Sequence, residues 1–85
     1  MTKKLELFKK KLLYRASYRG TKEMDILLSS FVKRNIDVFN ERQLKELEIF
    51  LDFEDEIILD FYNYNIIKNN IDKNPISKIF KDFKI

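Results

Sequence analysis

The stretch Tyr14–Phe31, YRASYRGTKEMDILLSSF, decides how this 85-residue chain folds, because it contains the chain's only glycine between two helical patterns. A residue without a Cβ takes positive φ at no steric cost, so an isolated Gly20 at that place predicts a sharp corner. Beyond it Met24, Leu27, Leu28 and Phe31 recur at i, i+3, i+4 and i+7, one apolar face of a helix. A second helix therefore starts within a residue or two of Gly20 and is expected over about 21–34. Glu23 in its first turn complements the helix dipole, and with Gly20 as N-cap it is placed to reach back as a capping box. On local chemistry alone, Arg19 reads as a surface cation pairing weakly with Glu23 or Asp25.

Upstream, Leu5, Phe8, Leu12 and Ala16 are spaced by three and four, with Leu13 widening the stripe, so a first helix is expected from about Leu5 to Ser17. Tyr14 and Tyr18 fall away from that stripe. They suit either half-burial or contact with a partner, since Tyr and Arg are enriched where binding energy concentrates. Downstream, Phe39-Asn40-Glu41-Arg42-Gln43-Leu44 reads as a helix start, with Asn40 as N-cap, Gln43 closing a capping box and Phe39 stapled to Leu44. Leu44, Leu47 and Leu51 make its buried stripe, flanked by Ile49 and Phe50.

The acidic turn Asp52-Phe53-Glu54-Asp55 supplies N-cap candidates for a fourth helix over about 56–64, packed through Ile58, Phe61 and Tyr62. Its acids lack the ligand spacing of a metal loop and are read as caps. Residues 65–74 form a polar, Asn-rich connector with Ile66, Ile67 and Ile71 free to dock, and Asn63 or Asn65 is the candidate helix end. Asn74 and Pro75 then open a terminal helix over 75–83, with Ile76, Ile79, Phe80 and Phe83 on one face. With one Gly, one Pro and no Asn-Gly or Asp-Gly hairpin signal, the expectation is an all-α single domain, a compact bundle of five short helices with the second central.

Composition narrows the function. Cysteine and histidine are absent, which removes disulfides, thiol nucleophiles, Cys/His zinc sites and the usual general base at neutral pH, so an enzyme is not expected. The net charge of +3 is mild, and much of the positive charge sits early, at Lys3, Lys4, Lys9, Lys10, Lys11, Arg15 and Arg19. That basic first helix admits a nucleic-acid or anionic-surface binder as the alternative function, although a solvated helix face explains it more simply. No apolar run reaches the length of a membrane span, and the start has neither a signal-peptide h-region nor an Arg- and Ser-rich presequence, so the expected location is a bacterial cytoplasm.

The order Arg19-Gly20-x-x-Glu23 followed by Met24, Asp25, Leu27, Leu28 and Phe31 resembles the family of succinate dehydrogenase assembly factor 2, called SdhE in bacteria, whose hallmark is an Arg-Gly-x-x-Glu motif. Leu12, Leu13, Tyr14 and Arg15 resemble that family's lead-in, and Leu44 with Leu51 in ERQLKELEIFL resembles its third-helix pattern. The likeness covers roughly residues 8 to 64. It departs in the acidic turn, where the family usually has Pro-Asp-Leu, and again where Phe61 and Tyr64 stand in place of a Trp-x-x-Gly pattern. The resemblance implies an assembly chaperone that binds the flavoprotein subunit of succinate dehydrogenase, with the fumarate reductase flavoprotein as a second candidate, and promotes its covalent flavinylation. It further implies partner contacts through Arg19, Gly20 and Glu23, with Tyr14, Arg15 and Tyr18 as a second rank, and no cofactor of its own because the FAD belongs to the partner. A monomer, without nucleic acid or membrane insertion, completes the expectation.

Overall fold

Helix α1 spans Lys3–Ser17, α2 Lys22–Asn35, α3 Glu41–Leu51, α4 Asp55–Tyr64 and α5 Pro75–Lys81, with a single 3-10 turn at Ile71–Lys73 before the last. The computed structural model describes residues 3–84. Its Cα radius of gyration is 12.2 Å, near the ~12 Å expected for a compact chain of this length. Helix α1 packs against α2 and α3, and α5 packs against α3 and α4.

The apolar stripes meet at Phe31, which is fully buried. Its ring lies 5.1 Å from Phe80, 5.3 Å from Phe83 and 6.4 Å from both Phe39 and Phe50, mostly edge to face, the geometry the ring quadrupole favours. Leu12 and Ala16 of α1, Leu28 and Val32 of α2, Leu47 of α3 and Ile58 of α4 fill the space around it. The C-terminal residues close this core: the Tyr62 hydroxyl donates to the Phe83 carbonyl at 2.6 Å, and the Arg34 guanidinium sits 6.0 Å from the Phe83 ring centre.

Local stop and start signals behave as their chemistry requires. The Asn40–Gln43 capping box is complete in both directions, and Phe39 and Leu44 are both buried beside it. Asn74 caps α5 by accepting from the Ile76 amide, with Pro75 in the first turn, and its own amide group donates to the Glu46 carbonyl on α3. Helix α4 ends at Asn65 in the left-handed region, whose N–H returns to Asp60 and Phe61, so Asn65 rather than Asn63 supplies the cap.

Several expectations need correction. The N-cap of α2 is Thr21, whose hydroxyl accepts from the Met24 amide, and Gly20 lies outside the helix, so no Gly20–Glu23 capping box forms. Helix α4 begins at Asp55, one residue early, with Glu54 as an N-cap whose side chain makes no capping bond, and α5 ends at Lys81 with Asp82 as its C-cap, short of the expected end at 83, so Phe83 packs from beyond the helix. Ile49 on α3 is more than half exposed, and Ile79 on α5 is exposed too, so the buried faces of both helices are narrower than their apolar residues suggest. Within the connector only Ile71 is buried; Ile66 and Ile67 stay at the surface.

Candidate functional site

The corner between α1 and α2 is built by one side chain reaching across the molecule. Past the end of α1 the chain turns through Gly20, which has φ +116° and is exposed, with no atom of the described residues beyond its chain neighbours within 4 Å of where a Cβ would stand. That conformation is one L side chains rarely adopt. The backbone N–H of Arg19 donates to the Asp25 carboxylate at 2.6 Å, which draws the corner onto the first turn of α2.

The Arg19 guanidinium leaves this corner and enters the α3–α4 turn. Its Nε donates to the Asp55 carboxylate at 2.8 Å, one terminal nitrogen to the Leu51 carbonyl at 2.6 Å and the other to the Phe53 carbonyl at 2.7 Å. The side chain is only 11% exposed. These are charge-assisted bonds on a rigid planar fork, and the two carbonyls are otherwise a problem of a helix end, where C=O groups lack intrahelical donors. Arg15, one turn earlier on α1, pairs with Asp52 in the same turn. Two arginines four residues apart thus dock onto two aspartates three residues apart, and the acidic turn acts as the receptor of these cations more than as a set of helix caps.

Beside this clamp lies an open groove of about 470 Å³ lined by Tyr14, Arg15, Tyr18, Arg19, Glu54 and Asp55. Tyr14 and Tyr18 are 64% and 69% exposed and lie against each other, with ring centres 4.6 Å apart. Aromatic rings held together in water without a covering layer are the residue type that binding surfaces use.

The structure therefore brings together Tyr14, Arg15, Tyr18 and Arg19, with exposed Gly20 following directly in the chain. Glu23 is set apart from them: it is exposed, its side chain makes no ion pair or hydrogen bond among the described residues, and it lines a separate groove of about 370 Å³ between α2 and α4 with Ile26, Leu27, Leu59, Tyr62 and Asn63. The expected weak pairing of Arg19 with Glu23 or Asp25 is replaced by the buried fork onto Asp55, and only the Arg19 backbone meets Asp25. Sequence reasoning missed Asp52, Glu54 and Asp55 as parts of the site. Their signal was the matching spacing of opposite charges on two helix-end segments, which by itself does not say that the segments meet.

Among the described residues no group of three or more acidic side chains is placed to hold a metal ion, and no helix is long and apolar enough to cross a membrane.

A family model described as flavinator of succinate dehydrogenase matches residues 10–84. The chain is 35% identical over 81 residues to the mitochondrial succinate dehydrogenase assembly factor 2 of Scheffersomyces stipitis, covering 95% of this chain and 51% of that protein. It is 32% identical over 77 residues to the protein of the same name in Dictyostelium discoideum, covering 91% of this chain and 52% of that one. To the FAD assembly factor SdhE of Acetobacter pasteurianus it is 36% identical over 53 residues, 62% of this chain and 49% of that protein. The chain spans about half the length of the curated relatives it matches. No solved structure matches it.

Proposed function

The chain belongs to the family of succinate dehydrogenase flavinators, and from that premise we propose that it binds the flavoprotein subunit of succinate dehydrogenase through the α1–α2 corner and promotes covalent attachment of FAD to that subunit. What supports this above all is the locked and exposed Gly20 corner: Arg19 holds it from beneath, and among the described residues nothing covers the glycine or the tyrosine pair. An exposed, preorganised surface of this kind loses little entropy on binding. Gly20 lets a partner backbone approach closely, and Glu23 offers an unengaged carboxylate to a donor on the partner.

The chemistry asked of such a factor is positional. The new bond joins the partner's histidine to the partner's flavin, so a helper with no His and no Cys in its sequence lacks nothing it needs. By stabilising the conformation that holds imidazole and flavin in reacting geometry it removes part of the orientational barrier. The fumarate reductase flavoprotein, which would present the same chemistry, is the second partner to test.

The alternative, nucleic-acid binding through α1, draws on a surface already partly neutralised. Lys9 pairs with Asp37, Arg15 with Asp52 and Arg19 with Asp55, which leaves Lys3, Lys4, Lys10 and Lys11 as the exposed cations. Counterion release would make such binding fall steeply with salt, whereas a flavoprotein interface with a buried centre weakens far less.

The deciding experiment is in-gel flavin fluorescence of the denatured flavoprotein from cells with and without the gene. Loss of the covalent signal, restored by wild type but not by Gly20→Arg, is the expected result. An unchanged signal in the deletion strain refutes the proposal.

A further inference from the structure

The groove beside the Arg19 clamp is lined by two arginines and two carboxylates, and with Asp52, which binds Arg15 from outside the lining, the acids outnumber the arginines. Arg15 and Arg19 are each matched by an aspartate, Asp52 and Asp55. Glu54 is the carboxylate left over: it is exposed at the N-cap of α4, its side chain makes no capping bond, and that side chain has no ion pair or hydrogen bond among the described residues, while its backbone carbonyl accepts from Ile58 at 3.1 Å. The same groove carries the exposed Tyr14–Tyr18 pair, rings tilted by 40°. An aromatic face attracts a cation through its quadrupole, and a free carboxylate attracts it by charge, so both features select the same kind of group.

We propose that this groove receives an arginine side chain of the partner protein, its guanidinium laid against the Tyr14–Tyr18 pair and forked onto Glu54. Arginine fits better than lysine because its planar, weakly hydrated head can stack on a ring and donate two parallel bonds to a carboxylate at once. The groove is open to water, so a lone cation is held weakly there, and the occupant is one delivered by a larger interface. That the interface belongs to a flavoprotein rests on the reading above; the arginine preference rests only on the groove.

A two-armed measurement tests this and keeps the two readings separate. In the first arm the full chain, labelled with nitrogen-15, is titrated with N-acetyl-arginine amide and, separately, with N-acetyl-glutamate amide. Saturable amide shifts gathered at Tyr14, Tyr18 and Glu54 are expected for the arginine probe alone, weakened about tenfold by Glu54→Gln as the charge is lost, and weakened also by Tyr14→Leu, which keeps bulk without a π face. Unchanged melting of both variants establishes that the fold is intact. Arginine shifts scattered over the surface, an equal response in Glu54→Gln, or tighter binding of the glutamate probe at these residues overturns the proposal. In the second arm, binding of the succinate dehydrogenase flavoprotein subunit is compared for wild type and Glu54→Lys, and a clear loss with the charge reversal is expected. A wild type that responds to the arginine probe but ignores the flavoprotein removes the partner and leaves the groove; a flavoprotein complex indifferent to Glu54→Lys overturns the groove.

Discussion

Replacing Arg19 with methionine separates two roles for the arginine of the Arg-Gly-x-x-Glu motif. The change keeps an unbranched, flexible stem, shorter than that of arginine, and deletes every donor. It removes three bonds, to Asp55, Leu51 and Phe53, from a side chain that is 11% exposed, and leaves an aspartate 28% exposed without its cation. Hydrogen bonds to charged groups are each worth about 1.5–3 kcal/mol, but they share one side chain and water reaches the turn, so the expected loss is about 2–4 kcal/mol in total. For a domain of this size each kcal/mol moves the melting temperature by about 4–8 °C, so a fall of roughly 8–32 °C is expected. Arg19→Lys should lose about half as much, because one ammonium can meet Asp55 but cannot fork onto both carbonyls. Urea unfolding followed by far-UV circular dichroism measures both, and an unchanged m-value would show that only the native state has been affected. A double-mutant cycle with Asp55→Asn should give a coupling of about 0.5–3 kcal/mol. If Arg19→Met left stability within about 0.5 kcal/mol of wild type, as an ordinary surface substitution would, while abolishing partner binding, the clamp would be refuted and the guanidinium would face the partner.

Other substitutions probe separate parts of the molecule. The Cβ that Gly20→Arg adds meets no atom of the described residues beyond its chain neighbours, but the residue is forced to φ +116°, so a strain of about 1–3 kcal/mol is expected, with a lower melting temperature and cooperative unfolding retained; loss of the folded state would make the corner structural. Phe31→Ala removes the ring on which Phe39, Phe50, Phe80 and Phe83 converge and should cost about 3–5 kcal/mol, read as a large fall in the urea midpoint. The Ser77 hydroxyl is fully buried with no partner among the described residues, so Ser77→Ala should be neutral or raise stability by up to about 1 kcal/mol; a clear loss would reveal a partner for that oxygen.

The division between what is legible in the chain and what is not follows the range of the interactions. Helices, their caps and most of their buried faces depend on neighbours within about four residues, a scale on which the periodicity of Leu12–Ala16, the Asn40–Gln43 box and the Asn74–Pro75 start speak for themselves. The Gly20 corner belongs to the same class, since one missing Cβ predicts one unusual φ. Its exact partner in capping did not follow, because Gly20 and Thr21 are adjacent and both acceptable before a helix, and the Thr21 hydroxyl brings an acceptor that glycine lacks. Ile79 read as part of a buried face and Ile49 as a flank of one because periodicity reports which face is apolar, while their exposure depends on how closely the neighbouring elements approach.

The site lay further still from sequence reasoning. Tyr14, Arg15, Tyr18, Arg19, Gly20 and Glu23 could be chosen as surface-active residues from one segment and its likeness to a family. That Arg19 turns inward to Asp55, a residue 36 positions away, and that Glu23 faces a different groove, required the packing of α1 against α3 and the placement of the α3–α4 turn. The chain alone determined five amphipathic helices, a corner at Gly20 and a surface without thiol or imidazole chemistry. Only the tertiary structure decided which charges cancel and which remain, because a salt bridge is specified by distance in space, and residues far apart in the chain acquire that distance only when the hydrophobic faces between them have closed.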